Sequence, residues 1–163
     1  MSDTRAVAFE RIARELGYDF GGEIRIGGNY VPFLIEGNQV HVSGQIPRVG
    51  NEVVVTGRAG GDASLADAQL AAKVCVMRAL ALLRQALGDL ERVRKVLQLN
   101  VFVQSAENFT QQSEVADAAS AVLYEVLGDA GVHTRTSVGV YQLPKNATVE
   151  LNLVAVAVAV AEG

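Results

Sequence analysis

Apolar and polar positions alternate in two rhythms along this chain, and each change of rhythm marks an element. Ala6, Phe9, Ile12 and Leu16 recur at helical spacing and Gly17 supplies a stop, so Thr4 to Leu16 predicts a short helix. Gly21-Gly22 and Gly27-Gly28 then bracket Ile24 and Ile26 in a glycine-punctuated connection that leads into a strand over Tyr30 to Ile35. Glu36-Gly37-Asn38 reads as a hairpin turn into a second strand, Gln39 to Ser43. From Gly44 to Gly61, Pro47 and repeated glycines leave room only for a brief strand over Glu52 to Thr56.

The next element is long. Ser64 predicts an N-cap, with Asp67 at the positive end of the helix dipole, and the helix runs to about Leu87 before Gly88 ends it. On a helical wheel, Ala71, Ala72, Cys75, Val76, Ala79, Leu82, Leu83 and Ala86 make a broad apolar face, while Leu70, Val74, Met77 and Ala81 make a narrower one. Polar strips containing Arg78 and Lys73 separate the two. A helix of this kind is expected to be covered twice, by a sheet and by another helix or subunit.

From Val93 to Val103 the period falls to two, predicting a strand with Val93, Leu97, Leu99, Val101 and Val103 on its buried face. Asn108 and Gln111 offer an N-cap and its partner for a second long helix, with Val115, Ala119, Val122 and Val126 as core stripe and Gly128 as stop. Two strands finish the chain, Arg135 to Leu143 and Thr148 to about Val160, joined through Pro144-Lys145-Asn146. In the first of them Arg135, Ser137, Gly139 and Tyr141 share one face. The sum is an α+β domain: one mixed sheet of about six strands with both long helices on one face. The other face has nothing in the chain to cover it, which points to contact between subunits.

Composition narrows the function. A formal charge of −4, no tryptophan and only a short basic cluster at Arg92 to Lys95 argue against a nucleic-acid partner, which needs a basic face and stacking aromatics. One cysteine excludes an intrachain disulfide and, with no basic-then-apolar leader at the N-terminus, leaves the cytoplasm as the expected compartment. The apolar stretch Leu151 to Ala161 is too short for a membrane-spanning helix and alternates like a buried strand, so no membrane partner is expected.

Few residues are candidates for chemistry. Arg135, just before a strand, is either a surface cation in a routine ion pair or a clamp that grips a carboxylate through parallel hydrogen bonds. Glu150, between Val149 and Leu151, is either a solvent-facing edge residue or a partly buried carboxylate able to activate water. His41 and His133 lack local acidic or metal-ligating companions and read as ordinary polar positions; no metal site is expected. Cys75 falls on the broad apolar face and reads as a small hydrophobe. Gly57 to Gly61 lacks the lysine and spacing of a phosphate loop.

Three stretches together resemble the Rid (YjgF-type) family: Gly28-Asn29-Tyr30-Val31-Pro32, Val42-Ser43-Gly44-Gln45-Ile46-Pro47, and Arg135 through Leu143-Pro144 to Val149-Glu150-Leu151. Thirteen residues separate Tyr30 from Ser43 and fifteen separate Arg135 from Glu150, spacings similar to the family's. The resemblance implies residues 28–163 as a Rid-like domain after an N-terminal helix and extension, 1–27. It also implies a fold like bacillus-type chorismate mutase, assembled as a homotrimer with sheets inward, helices outside and three clefts between subunits. By the same resemblance the activity is hydrolysis of reactive enamines and imines of small amino acids to 2-keto acids and ammonia, with no cofactor. Arg135 would hold the substrate carboxylate, Glu150 would position or deprotonate the attacking water, Tyr30 would close the cleft from a neighbouring subunit, and Ser43, Gly44 and Ser137 would hold the substrate. Two other readings stand beside it: a non-catalytic module that binds a small carboxylate, and a ribonuclease-type translation inhibitor.

Overall fold

The computed structural model describes residues 3–159. Helix α1 (Arg5–Leu16) starts where the Thr4 side chain accepts from the Val7 amide, and it ends at Gly17 in a left-handed conformation with φ 78°. Its buried residues Ala8, Phe9, Ile12 and Ala13 belong to the same hydrophobic cluster as the rest of the core. The N-terminal helix is therefore packed into the helical layer rather than laid over a sheet edge.

Strands β1 (Phe33–Glu36), β2 (Gln39–Gln45), β5 (Val93–Gln104), β6 (Thr134–Val140) and β7 (Val149–Ala157) form one sheet in the order β1-β2-β7-β5-β6. Only β5 and β6 run parallel; the other pairs are antiparallel. The mixed sheet was expected to have six strands, and it has five. The stretch around Glu52 instead makes a two-residue ladder between β3 (Arg48–Val49) and β4 (Glu52–Val53), closed by Gly50 at φ 61°. The turn leaves too few extended residues on either side to reach the main sheet. Strand β7 ends at Ala157; Val158 and Ala159, expected to extend it, leave the strand, and Val160 lies outside the described residues.

Helices α2 (Leu65–Leu87) and α3 (Gln112–Leu127) pack on one face of the sheet. Ser64 and Asp67 form a reciprocal capping box at the start of α2, satisfying two amide donors that the first turn leaves open. Both apolar faces of α2 are covered: Cys75 and Leu82 on one, Val74 and Met77 on the other, are fully buried. Asn108 does not cap α3; it sits inside a turn closed by the Phe109 amide on the Ala106 carbonyl, and α3 begins four residues later without a side-chain cap.

The core face of β5 differs from simple alternation. Val96 is buried and Leu97 is 37% exposed, because register shifts at Val93/Lys95 and Val96/Gln98 reverse the side-chain order there. Beyond them Leu99, Val101 and Val103 point at the helices as expected, opposite Leu153, Leu151 and Val149 of β7. The other face, which no helix among the described residues covers, carries Asn100, Phe102, Thr136, Val138, Glu150 and Asn152, with Asn100 Nδ2 donating to Asn152 Oδ1 at 3.0 Å. Among the described residues no helix is long and apolar enough to cross a membrane.

Candidate functional site

The β2 strand carries a bulge where it meets β7: Val42 faces Leu153 and Gln45 faces Leu151, so Ser43 and Gly44 together oppose Asn152. A bulge re-aims side chains and is often placed beside active sites. Here it brings the Gly44 backbone against the Glu150 carboxylate, so closely that any Cβ at Gly44 would overlap it. Ser43 fastens the preceding segment: its amide donates to the Pro32 carbonyl at 2.9 Å and its hydroxyl to the Val31 carbonyl at 2.6 Å. Tyr30, on that segment, then stands at the mouth of the same recess, half exposed. Gly28 lets the Tyr30 ring fold back, since a Cβ at Gly28 would strike the ring.

The recess encloses about 210 Å³ and is lined by Tyr30, Gly44, Glu150 and four cationic residues, Arg25, Arg48, Arg78 and Lys145. Burial raises the Glu150 pKa above the ordinary carboxylate range, because leaving water penalises its charged form. Among the described residues no arginine, lysine or histidine pairs with it at salt-bridge distance. Arg78, read from sequence as part of a polar strip, is buried: Nε donates to Gln45 Oε1 at 3.1 Å, Nη1 to the Arg48 carbonyl at 2.5 Å and Nη2 to the Arg25 carbonyl at 3.1 Å. Desolvation lowers its pKa.

Arg135 lies elsewhere. In register it stands opposite Leu99, and Ser137 opposite Val101, so both project toward the helices, while Glu150 projects from the uncovered face. The guanidinium reaches α3: Nη1 donates to Asp117 Oδ1 at 2.8 Å and to Ser120 Oγ at 3.0 Å, and Nη2 to Ser113 Oγ at 2.9 Å. A shallow recess opens beside it between Asp117, Ser120, Tyr124 and His133. His133 Nε2 is 2.9 Å from Ser120 Oγ and Nδ1 is 2.6 Å from the Gly131 carbonyl, with the ring stacked on Tyr124. Of the six residues singled out from sequence, one protomer thus gathers Tyr30, Ser43, Gly44 and Glu150, and holds Arg135 and Ser137 on the opposite face of the sheet.

The His41 ring hydrogen-bonds Gln39 within β2, and Cys75 is buried with its thiol directed at the Val149 carbonyl, its pKa pushed well above the ordinary thiol range by desolvation. That thiol is inert by burial. Arg25, Arg48, Arg78 and Lys145 were not singled out from sequence. Arg78 was legible only as part of a polar strip of the helix, with no local signal that other segments would bury it. Arg48 stands on the two-residue β3, Arg25 between α1 and β1, and Lys145 between β6 and β7, stretches whose course sequence periodicity does not trace.

If the placement of the Glu150 carboxylate against a bare backbone matters, Gly44→Ala tests it. The added methyl meets the far end of a flexible side chain, so the fold survives and the carboxylate moves. The variant is expected to keep the wild-type melting temperature within a few degrees while any Glu150-dependent activity falls about a hundredfold, the scale on which a misplaced catalytic group is felt. Calorimetry and an activity assay on one preparation check this.

A mixed sheet with helices on one face, and a desolvated carboxyl in a recess on the other, define a small α+β domain of the chorismate-mutase-like type. Residues 16–158 match the family described as "YjgF/chorismate mutase-like, putative endoribonuclease", and the chain belongs to that family, in agreement with the three motifs of the sequence. The chain is 40% identical over 150 residues to Protein TCP17 of Trypanosoma cruzi, covering 90% of this chain and 94% of that one. The crystal structure of protein Atu1372 from Agrobacterium tumefaciens is similar at 39% identity and TM-score 0.83, covering 94% of this chain and 95% of that one. A Shewanella oneidensis structure carrying the same endoribonuclease description is similar at 26% identity and TM-score 0.85, covering 94% and 99% of the two chains.

Proposed function

We propose that this chain is a hydrolase of small imine and enamine carboxylates, working as a homotrimer whose reaction site is shared between protomers. The observation that carries the reading is Glu150: a carboxyl raised in pKa by burial, unpaired, and facing an open recess is suited to take a proton from water. In the reaction, the water oxygen attacks the C=N carbon as Glu150 accepts its proton. Glu150 then passes the proton to nitrogen and takes the carbinolamine's hydroxyl proton as the C=O forms and the C–N bond breaks, leaving a 2-keto acid and ammonia. Orientation is the main source of rate, since a protonated imine is already electrophilic.

Arg135 fits this scheme as the clamp for the substrate carboxylate if it comes from a second copy of the chain. Its position on the far side of the sheet from Glu150 supports a cleft formed where the uncovered face of one copy meets the edge strand β6 of the next. Ser113, Asp117 and Ser120 hold the guanidinium in one orientation ahead of binding. Tyr30 then caps the cleft from the Glu150 side and Ser137 lies beside Arg135, where its backbone can meet the substrate. A recess of 210 Å³ is below the roughly 300–1,000 Å³ typical of drug-sized ligands, which favours a small metabolite over an RNA strand.

Ammonia release from freshly generated 2-iminopropionate is the direct test. The wild-type protein is expected to accelerate it over buffer, and Arg135→Ala to lower kcat/KM by about ten- to a hundredfold, the range for loss of a charge-assisted contact. Saturable binding of pyruvate with no acceleration would instead identify a binding module.

A further inference from the structure

The recess beside Glu150 carries more positive charge than the proposed reaction uses, since that reaction takes its cationic clamp from Arg135. Arg78 is 5% exposed and spends its donors on neutral acceptors only, one side-chain amide and two backbone carbonyls. Arg48 Nε is buried with no hydrogen-bond partner at all. Among the described residues neither of these arginines, nor Lys145, has a carboxylate at salt-bridge distance. A buried cation without a counter-charge is costly, and a buried donor left open is rare in folded proteins. Both features are resolved at once by an anion entering the recess.

Lys145 adds a third, independent observation. It and Asn146 adopt left-handed backbone, φ 60° and 59°, which a side chain other than glycine rarely takes. The turn is held from outside: Gln104, almost fully buried, donates from Nε2 to Asn146 Oδ1 at 2.8 Å and accepts the Leu143 amide on Oε1 at 2.8 Å, while the Gly57 amide donates to the Asn146 carbonyl at 3.0 Å. Strain fixed in this way by its surroundings clusters at functional sites, and here it sets Lys145 in the wall of the recess.

We infer that the recess receives a second acidic group of the substrate, so that the favoured substrates are imines or enamines of short dicarboxylic amino acids rather than of alanine-sized ones. The inference rests on the hydrolase reading for its reaction, and on the charge of the recess for its selectivity. Arg135 of a neighbouring protomer takes the carboxylate next to the imine carbon; Arg48, Arg78 and Lys145 take the distal one; Glu150 stands between them.

Titration calorimetry with stable keto-acid products tests the selectivity apart from turnover. 2-Oxoglutarate is expected to bind at least about tenfold more tightly than 2-oxobutyrate, the effect of one added charge-assisted contact. Arg48→Gln and Lys145→Gly are each expected to draw that ratio towards one. Glycine accepts the left-handed backbone at position 145, so the second variant removes the charge without disturbing the turn. Equal affinities in the wild type, a preference that survives both variants, or no binding of either acid would overturn the inference. Ammonia release from 2-iminoglutarate and 2-iminopropionate separates the two proposals. A binding preference without turnover sinks the hydrolase reading alone, and turnover of both substrates with equal kcat/KM and no binding preference sinks this inference alone.

Discussion

Chains carrying Arg135→Ala and chains carrying Glu150→Gln, each strongly impaired alone, are expected to recover activity when they assemble together. If each cleft takes its arginine from one protomer and its glutamate from the next, every mixed trimer keeps one intact cleft of three. Random assembly from equal amounts makes about three quarters of the trimers mixed, so about a quarter of wild-type turnover returns. The physical basis is the register of the sheet: Arg135 is level with Leu99 on the helix side, Glu150 is level with Phe102 on the other, and side chains of opposite parity cannot meet around a strand. Co-expression with two affinity tags and an ammonia assay give the number, which rises to about a third, one cleft of three, once the doubly tagged species is purified. A doubly tagged trimer with no more activity than its parents would sink the shared site, as would a chain that sediments as a monomer.

The motifs could not say which of the residues they named would share a cavity. Tyr30, Ser43, Gly44 and Glu150 converge because a bulge in β2 folds the glycine against the glutamate, and a bulge leaves little trace in hydropathy: Val42-Ser43-Gly44-Gln45 still reads as alternation. The same blindness misplaced Leu97, since register shifts in β5 exchange it with Val96 while both are apolar. The alternation of β6 was legible, with Arg135 and Ser137 on one face as expected; what was not legible was which face the helices would take. Helix α2 was legible in full, from the Ser64–Asp67 cap to Gly88, because caps and helical periodicity are local signals. Arg78 shows where local reading stops. Its polar strip looks like a solvated one until Gln45 of β2 and the backbone at Arg25 and Arg48 close over it, and only long-range packing decides that.

Glu150 carries the other large expectation, because its two roles pull against each other. Replacing it by glutamine keeps the shape and removes the base, so turnover is expected to fall by about a hundred- to ten-thousandfold, the usual contribution of a general base. The same change is expected to raise the melting temperature at neutral pH. Burial raises the folded-state pKa of Glu150, so the folded chain holds the proton more tightly than the unfolded one. Its contribution to stability is therefore fully present below the unfolded-state pKa and is lost as pH rises through the raised folded-state pKa. At neutral pH the wild type folds around an unpaired, partly desolvated charge, and glutamine relieves it; at low pH, where the carboxyl is protonated, the two proteins converge. Activity runs the opposite way, because the base works only when ionised, so the acid limb of kcat/KM should lie above the ordinary carboxylate range and vanish in Glu150→Gln. Thermal melts and rate profiles taken across the same pH series decide the matter: a variant that is less stable than wild type at neutral pH, or a wild-type rate that rises as the solution is acidified, would remove Glu150 from the role of base.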